Sequence, residues 1–560
     1  MINIIKKLSD EINKKRVNQY LFFMIASILT VLFMGYYFGT FDQVVHIPSL
    51  KKLADPTLYP DDKYLELSKY HYSYFWYFFV PFYRLHILEI SMFITHLITV
   101  YLTYYALYKL SKTLFNSPLA SFFSTVVFII PHIGFAGFPV FEFSLLNRTF
   151  VLPFLLLAID FYLNKKLALS FIILGIMYNF HVVSVNFVLA IFFFDLFLRI
   201  KFINVKKTLY SLLSFAVTAS PVLIWKFSNS GVDTKLNWEW FNIINKGILY
   251  HIFTLVTINP SVLFLVLSGA SLYFIFFFAL KYSKSPHNPT VVNFVYASLI
   301  ILSVQILATA FFPLTIIIQS QIIRVGIFVL IFAYIYFANF LSSEVFKSNR
   351  NYDLKVMFGG FFLSLTPIIL VIAIIARNLI RSRLIFFISK LLLIMGFIGL
   401  LIMVYMINIW KPGIHIYPTH DELYDVEIWA RDNTPKDAIF ITRPDLWWLY
   451  NIEWRVISER STVVTMSDLL ETAFVPDYIK YWKPRFESVA PGAINQFNGD
   501  IIKNFKTASK AFDSLKEEDF MSISNEYSAQ YLVVEKKNKL NFQKVFSNDK
   551  YVVYLLFLDK

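Results

Sequence analysis

Asp42 and His46 lie four residues apart, just beyond the first long apolar segment of the sequence. If the chain is helical there, the two side chains share one face, because residues four apart are neighbours on a helix. A carboxylate at a membrane face can deprotonate an acceptor hydroxyl or hold a divalent metal ion. Asp42 is therefore the first candidate catalytic residue, with His46 beside it; a solvated aspartate without a role is the alternative.

Glu142 is the only acid in a second loop, at about residues 135–149, whose other residues are strongly apolar. Apolar surroundings raise the pKa of a carboxyl group unless a cation compensates. Arg148, six residues later, could be that cation or could bind a phosphate. The spacing leaves two interpretations open, a functional acid and a local Glu142–Arg148 ion pair.

Other charged or polar side chains lie inside or next to apolar segments, where the cost of burying them in a bilayer points to function. Glu89 shares a helical face with His86 and His96, and His181 lies at a turn between two short apolar segments. Arg324 lies one turn into a later segment. An arginine near the outer boundary suits a lipid-linked phosphate, and a side chain that extends to the interface is the alternative.

The composition excludes a soluble enzyme. Of 560 residues, 57% are hydrophobic and 16% are charged, against about 25% charged in soluble domains. The absence of cysteine excludes disulfides and thiolate metal sites. Residues 1–410 carry 32 Lys and Arg against 15 Asp and Glu, whereas residues 411–560 carry 19 against 22. The basic excess therefore belongs to membrane loops, and no nucleic-acid partner is indicated.

The pattern predicts a polytopic α-helical membrane protein with a C-terminal soluble α/β domain. Residues 1–17 read as an amphipathic helix on the cytoplasmic face. Residues 18–410 contain about 11–13 spans and a long first outside loop at 39–84. Twelve spans would place Arg377, Arg381 and Arg383 in an outside loop, against the positive-inside rule, whereas an odd number would remove this conflict; both parities are left open. Residues 411–560, with strands near 438–442, 463–466, 531–535 and 551–558 and helices near 421–432, 467–482 and 507–518, would with an odd number lie outside too.

Motifs of soluble enzymes are absent from the sequence. It contains no P-loop, no dinucleotide fingerprint, no Gly-x-Ser-x-Gly elbow and no His-Glu-x-x-His. Nucleotide energy is therefore not expected to be used directly.

The order of these features resembles the GT-C superfamily of membrane glycosyltransferases, in particular its oligosaccharyltransferase-like branch and uncharacterised bacterial relatives. Phe41-Asp42 after the first span is similar to that branch's first acidic motif, and Ala136-Gly137 with Glu142 is similar to its second, with one acid where a pair is usual. The resemblance spans most of the chain as architecture with scattered residues.

The resemblance implies transfer of a sugar from a polyprenyl-phosphate carrier to a glycan, lipid or protein acceptor on the outer face of the cell membrane. Asp42, Glu142 and His46 would be catalytic, and Arg324 and Arg148 would bind the lipid phosphate. Mg²⁺ or Mn²⁺ on Asp42 and Glu142 is left open, because many relatives need no metal.

Further substrate contacts follow from the same resemblance. Trp447-Trp448-Leu449-Tyr450-Asn451 loosely resembles the Trp-Trp-Asp-Tyr-Gly signature of oligosaccharyltransferases, and Arg460 follows at a similar spacing. Leu449 replaces the aspartate of that signature, which argues against asparagine-linked transfer. Trp447, Trp448 and Arg460 are thus expected to contact substrate. His181 and Glu89 are expected to do so because polar side chains in apolar segments point to function.

Two other classes of protein fit part of the pattern. A transporter or flippase of lipid-linked saccharides would also need intramembrane charges, but no inverted repeat is visible. A non-catalytic subunit of a membrane complex would not depend on Asp42 or Glu142. The long first loop and the terminal domain favour the enzyme.

Overall fold

The computed structural model describes residues 2–202, 204–229, 238–248, 260–312, 314–344, 352–380, 382–444 and 450–556. Most of these residues are helical. The α-helices, in chain order, are α1 Ile2–Lys14, α2 Arg16–Met34, α3 Gln43–Ala54, α4 Lys63–Glu66, α5 Val80–Arg84, α6 Leu88–Phe115, α7 Pro118–Val126, α8 Asn147–Leu163, α9 Leu167–Tyr178, α10 Val182–Leu198, α11 Val205–Ser228, α12 Trp238–Gly247, α13 Pro260–Leu280, α14 Asn288–Phe311, α15 Thr315–Gln319, α16 Gly326–Glu344, α17 Tyr352–Leu363, α18 Pro367–Ile375, α19 Arg383–Met406, α20 Glu422–Asn433, α21 Trp454–Ser458, α22 Asp468–Thr472, α23 Ile479–Val489, α24 Ile501–Asp513 and α25 Glu517–Tyr527. The strands are β1 Tyr36–Tyr37, β2 Ile414–His415, β3 Ile439–Ile441, β4 Ser461–Thr462, β5 Tyr531–Glu535, β6 Gln543–Ser547 and β7 Tyr551–Leu555.

The apolar segments form helices because a helix satisfies its backbone hydrogen bonds internally, which a bilayer requires. Seven helical segments of the described residues are long and apolar enough to cross a membrane: Arg16–Met34, Leu88–Phe115, Val205–Ser228, Val262–Leu280, Asn288–Phe311, Thr315–Glu344 and Arg383–Met406. Shorter apolar helices cover Pro118–Ile129, Leu167–Tyr178, Val182–Leu198 and Pro367–Leu379. The predicted fold class, a multi-pass helical membrane protein, is confirmed.

One apolar run that is long enough in the sequence to cross a bilayer as a single helix does not form one. The apolar run at 356–376 divides into α17 and α18, with Ser364 to Thr366 between them. Pro367 begins α18 because a proline has no backbone N–H to donate to a preceding turn. The hydroxyl of Thr366 caps the new helix by accepting a hydrogen bond from the backbone N–H of Ile368, at 3.4 Å.

The C-terminal residues form a five-stranded sheet flanked by helices, in the strand order β4-β3-β5-β7-β6. β3 pairs in parallel with β4 and β5, whereas β7 runs antiparallel to β5 and β6. The predicted α/β character is therefore confirmed, and β6 is a strand that sequence analysis did not identify. The helix expected at 467–482 is divided into α22 and α23 around Pro476, for the same reason as at Pro367.

The first loop packs directly on the C-terminal residues. β1 pairs in parallel with β2, and Thr40 pairs with Ile452 in an antiparallel bridge. At the end of the first long helix, the indole N–H of Trp410 donates to the carbonyl of Phe33 at 2.7 Å. The C-terminal end of α2 and the start of the C-terminal residues therefore lie side by side.

A buried group of charges holds this interface together. Arg455 on α21 donates to Asp62 of the first loop at 2.7 Å, and to Glu453 and Asp468 at 2.9 Å each. The side chain of Arg455 is 1% exposed. A second pair, Lys51 and Glu459, lies 2.7 Å apart across the same interface. Because a buried arginine needs several acceptors, these carboxylates fix the loop to the domain.

Candidate functional site

Arg148 binds the two acids that sequence analysis singled out. Its Nε and Nη2 atoms donate to Oε1 and Oε2 of Glu142 at 2.7 Å and 2.6 Å, and its Nη1 atom donates to Oδ2 of Asp42. The side chains are 13%, 12% and 15% exposed for Arg148, Glu142 and Asp42. Charge-assisted, bidentate bonds of this kind fix geometry strongly. We call Asp42, Glu142 and Arg148 the carboxylate–arginine cluster.

Backbone contacts bring the three residues of the cluster together. The N–H of Tyr37 donates to the carbonyl of Phe143 at 2.8 Å. Gln43, fully buried, donates through Nε2 to the carbonyl of Leu145 at 2.8 Å and accepts from the N–H of Gly39 at 2.7 Å. The first and second loops are thereby held side by side, and the guanidinium of Arg148 lies between the carboxylates of Asp42 and Glu142.

The backbone next to Asp42 is unusual. Phe41 has a φ of 55°, in the left-handed region that a bulky side chain rarely adopts. Its ring lies against the guanidinium of Arg148, 5.7 Å from centroid to Cζ, and against the ring of Phe143 at 5.5 Å. Strained backbone conformations are often found at functional sites, because the surrounding structure has to hold them.

Arg324 lies next to the cluster without forming an ion pair. Its guanidinium is 4.3 Å from the ring centroid of Phe138, and it forms no hydrogen bond or ion pair with any residue that the structure describes. The charges of Arg148, Asp42 and Glu142 are close enough to act on it. A half-buried guanidinium without a carboxylate partner is suited to bind an anionic group.

Two of the predicted histidines lie at the same site. His46, on α3, lies close enough to Asp42, Arg148 and His181 for each of them to act electrostatically on its ring. Burial, and then the neighbouring His71, lowers the pKa of His46 well below its ordinary value, so its ring is neutral. His181 caps α10: its Nδ1 accepts from the backbone N–H of Ser184 at 3.2 Å.

Other predicted site residues lie elsewhere. Arg460 uses its guanidinium inside its own domain, donating to Thr434 and to the carbonyl of Arg431. Glu89 lies on the first turn of α6, close to Tyr36, and has no ion-pair partner among the described residues. Trp447 and Trp448 lie outside the residues that the structure describes.

The cluster does not fit a divalent metal ion. Arg148 lies between the two carboxylates that would have to bind the ion and uses both oxygens of Glu142. Over the described ranges, no group of three or more His, Asp or Glu side chains is arranged to hold a metal. We therefore derive no step through Mg²⁺ or Mn²⁺.

Sequence analysis missed His71 and Glu471. Nε2 of His71 lies 2.7 Å from Oε2 of Glu471, and the ring of His71 meets that of His46 edge to face at 5.1 Å. The pair is separated by 400 positions in the chain. Spacing therefore carries no signal for it, and each residue looks like an ordinary polar residue of a loop or of a soluble domain.

Comparisons with known proteins give a likeness of fold. No family model matches the chain, and no curated protein matches it in sequence. Two solved structures of ArnT from Cupriavidus metallidurans are similar to it over 96% of its length. One is bound to undecaprenyl phosphate, with 10% identity, a TM-score of 0.41 and 97% of that chain covered. The other is in the apo state, with 10% identity, a TM-score of 0.42 and 98% covered. The likeness concerns the fold alone.

Proposed function

We propose that this protein is a membrane glycosyltransferase that moves a sugar from a polyprenyl-phosphate carrier to an acceptor hydroxyl. The observation that carries the proposal is the carboxylate–arginine cluster with Arg324 beside it. Two acids from separate loops are fixed by one arginine, while a second arginine has no carboxylate partner among the described residues. A site of this kind can bind an anion and a hydroxyl next to each other.

Arg324 is the proposed contact of the donor phosphate. It belongs to the apolar segment Thr315–Glu344, so a lipid-linked phosphate that moves within the bilayer can reach it from the side. The phenyl ring of Phe138 holds the guanidinium and leaves its N–H groups for the phosphate oxygens. Arg148 already donates to two carboxylates, so we assign it mainly to fixing Asp42 and Glu142.

Asp42 is the proposed contact of the acceptor. Phe41-Asp42 is similar to the first acidic motif of the oligosaccharyltransferase-like GT-C enzymes, and Arg148 fixes the Oδ2 atom of Asp42. The carboxylate of Asp42 orients the acceptor hydroxyl and takes its proton as the oxygen bonds to the anomeric carbon. The bond between that carbon and the phosphate oxygen breaks, and polyprenyl phosphate leaves with the electron pair.

We propose that the reaction takes place on the outer face of a cell membrane. The first loop and the C-terminal residues contact each other, which supports their being on one side. The basic excess of residues 1–410 supports cytoplasmic placement of the opposite loops. Residues 1–17 would then lie on the cytoplasmic face and residues 411–560 outside, with α1 over Ile2–Lys14.

The proposal is tested in vesicles that contain the purified full-length protein. The probes are undecaprenyl-phosphate esters of glucose, mannose and arabinose, with host envelope lipids and glycans as acceptors. Mass spectrometry measures released undecaprenyl phosphate and, separately, bound undecaprenyl phosphate. We expect the wild type to bind the lipid and to release it from at least one ester.

Asp42→Asn is the decisive variant, and Asp61→Asn is its matched control. Asp61 is an exposed acid of the same first loop. We expect Asp42→Asn to slow release by about 100-fold or more, the size of a lost general base, and to keep lipid binding. Asp61→Asn should behave like the wild type. Lipid binding without release in the wild type would contradict the enzyme and favour a transporter or a non-catalytic subunit.

A further inference from the structure

One short segment of the C-terminal residues, 468–474, contains α22 and binds three elements from the rest of the chain. Glu471 binds His71 of the first loop, the carbonyl of Thr472 accepts from the indole of Trp240 at 2.6 Å, and the carbonyl of Phe474 accepts from Gln319 at 2.9 Å. Gln319 precedes Arg324 by five residues. The 468–474 segment is therefore a contact shared by the first loop, α12 and α15.

The contact between Glu471 and His71 continues to the cluster through His46. The ring of His46 stacks on Trp76, with centroids 4.7 Å apart and planes at 24°, and meets His71 at 86°. Nδ1 of His46 is buried and has no hydrogen-bond partner in the part of the chain that the structure describes. Ring packing between Trp76 and His71, rather than a hydrogen bond at Nδ1, therefore fixes His46.

We propose that Glu471 is a positioning residue of the site: its carboxylate fixes His71, and the ring of His71 holds His46 next to Asp42. The inference rests on the proposed function, because it assigns a role within that site. It adds a residue of the C-terminal domain to a site otherwise built from membrane helices and their loops. Docking of the domain thus completes the site.

The charges around this pair determine how it responds to pH. Glu471 on α22 faces His71, and Asp42, Arg148 and His181 act on His46. Burial disfavours the charged form of His71, but the charge and the hydrogen bond of Glu471 outweigh burial and raise its pKa. Without the carboxylate only burial is left, so the pKa of His71 should fall. In a variant without the carboxylate the ion pair is absent, and His71 would lose its positive charge at a lower pH than in the wild type.

The first test compares the pH profile of undecaprenyl phosphate release in the wild type with that in Glu471→Gln. We expect the alkaline limb of the variant to move to lower pH by about 1 unit or more, since a nearby opposite charge is worth that much. Its kcat should fall, whereas KM for the lipid donor should not change. Glu471→Asp, which keeps the negative charge, should return the alkaline limb to the pH at which it lies in the wild type.

Glu459→Gln is the matched control. This substitution also breaks a partly buried ion pair between the first loop and the C-terminal residues. That pair, Lys51–Glu459, contains no histidine. We expect the substitution to lower thermal stability without moving the pH profile. If Glu471→Gln and Glu459→Gln give the same pH profile, Glu471 is merely structural and the inference is wrong.

A second measurement does not need turnover. ¹⁵N-histidine labelling reports the ring of His46 directly, with the signal assigned from His46→Gln. We expect the His46 signal to shift in Glu471→Gln and to stay in place in Glu459→Gln. An unchanged His46 signal in Glu471→Gln overturns the inference. A wild type that releases no undecaprenyl phosphate but shows the expected shift contradicts the proposed reaction alone.

Discussion

Arg148 binds Asp42 across 106 positions of sequence and binds Glu142 six positions away. Glu142 and Arg148 form the local ion pair that their spacing permits. Arg148 also binds Asp42, the acid of the first loop. One guanidinium thereby neutralises one of two partly buried negative charges and leaves a net charge of −1 on the cluster. The charge of Arg324, close by, balances the rest.

Arg148→Gln should destabilise the protein strongly. Removing one partner from a buried ion pair costs about 3–5 kcal/mol, because the remaining charges lose their compensation. We expect the free energy of unfolding in detergent to fall by that order. Glu142→Gln added to Arg148→Gln should recover part of the loss, since one unpaired carboxylate is removed. Equal stability of the single and double variants would contradict this account.

Arg324→Gln should weaken lipid binding rather than stability. Hydrogen bonds to charged groups contribute enough that their loss lowers affinity about tenfold to a hundredfold. Affinity for undecaprenyl phosphate is the measurement, together with the melting temperature. Arg377→Gln is the matched control, because Arg377 also lies over a phenylalanine, with its Cζ 5.4 Å from the ring centroid of Phe278. Equal losses of affinity in the two variants would exclude a specific phosphate contact.

Cysteines placed at Thr40 and Ile452 should form a disulfide without an added catalyst. These residues pair across an antiparallel bridge, where Cα atoms lie about 4.5–5.5 Å apart, within the range of a disulfide. The natural sequence has no cysteine, so the background is clean. Non-reducing electrophoresis after cleavage between the two sites measures the bond. Absence of the disulfide, with both single cysteines reactive to thiol reagents, would show that the first loop and the C-terminal domain do not meet.

The interface between the first loop and the C-terminal domain should weaken as the pH rises from 5 to 8. Burial raises the pKa of Glu453 to about 7, so the folded state holds its proton more tightly than the unfolded state between pH 4.5 and that value. Stability therefore falls across this window. The raised pKa of His71 acts in the same direction, because its contribution is complete below about pH 6.5 and is lost above it.

Subtraction isolates the contribution of Glu453. The difference in melting temperature between the wild type and Glu453→Gln, measured at pH 5, 6.5 and 8, removes the influence of every other acid. We expect the melting temperature of the wild type, relative to that of Glu453→Gln, to be lowest at pH 8. A difference that does not depend on pH would mean that Glu453 has an ordinary pKa.

Sequence analysis predicted much of the membrane part because its physical signal is local. Apolar runs of sufficient length become helices whatever surrounds them, and most predicted segments correspond to helices in the structure. Errors in the predicted helices occur where a proline divides the segment, as at Pro367 in the membrane part and at Pro476 in the C-terminal residues. Both prolines are visible in the sequence, but a hydropathy pattern alone does not take the effect of a proline on a helix into account.

The candidate site was less predictable because it is made of distant contacts. Asp42, Glu142 and Arg148 stood out because charge is rare in apolar surroundings, yet their assembly around Arg148 was one of several possibilities. Arg455 did not stand out at all, because nothing in the segment Glu453-Trp454-Arg455-Val456 connects it to a distant acid. Its burial follows from Asp62 and Asp468, which the sequence does not connect to it.

The buried arginine and its partners also determine when this protein can become complete during its synthesis. Lys51 and Asp62 leave the ribosome early, but their partners Glu459 and Arg455 follow about 400 residues later. Until then, two charges intended for a dry interface have to stay hydrated. We therefore expect the nascent chain to keep its first loop in water while the remaining helices form, and the interface to close only after the last stretch of polypeptide has been synthesised.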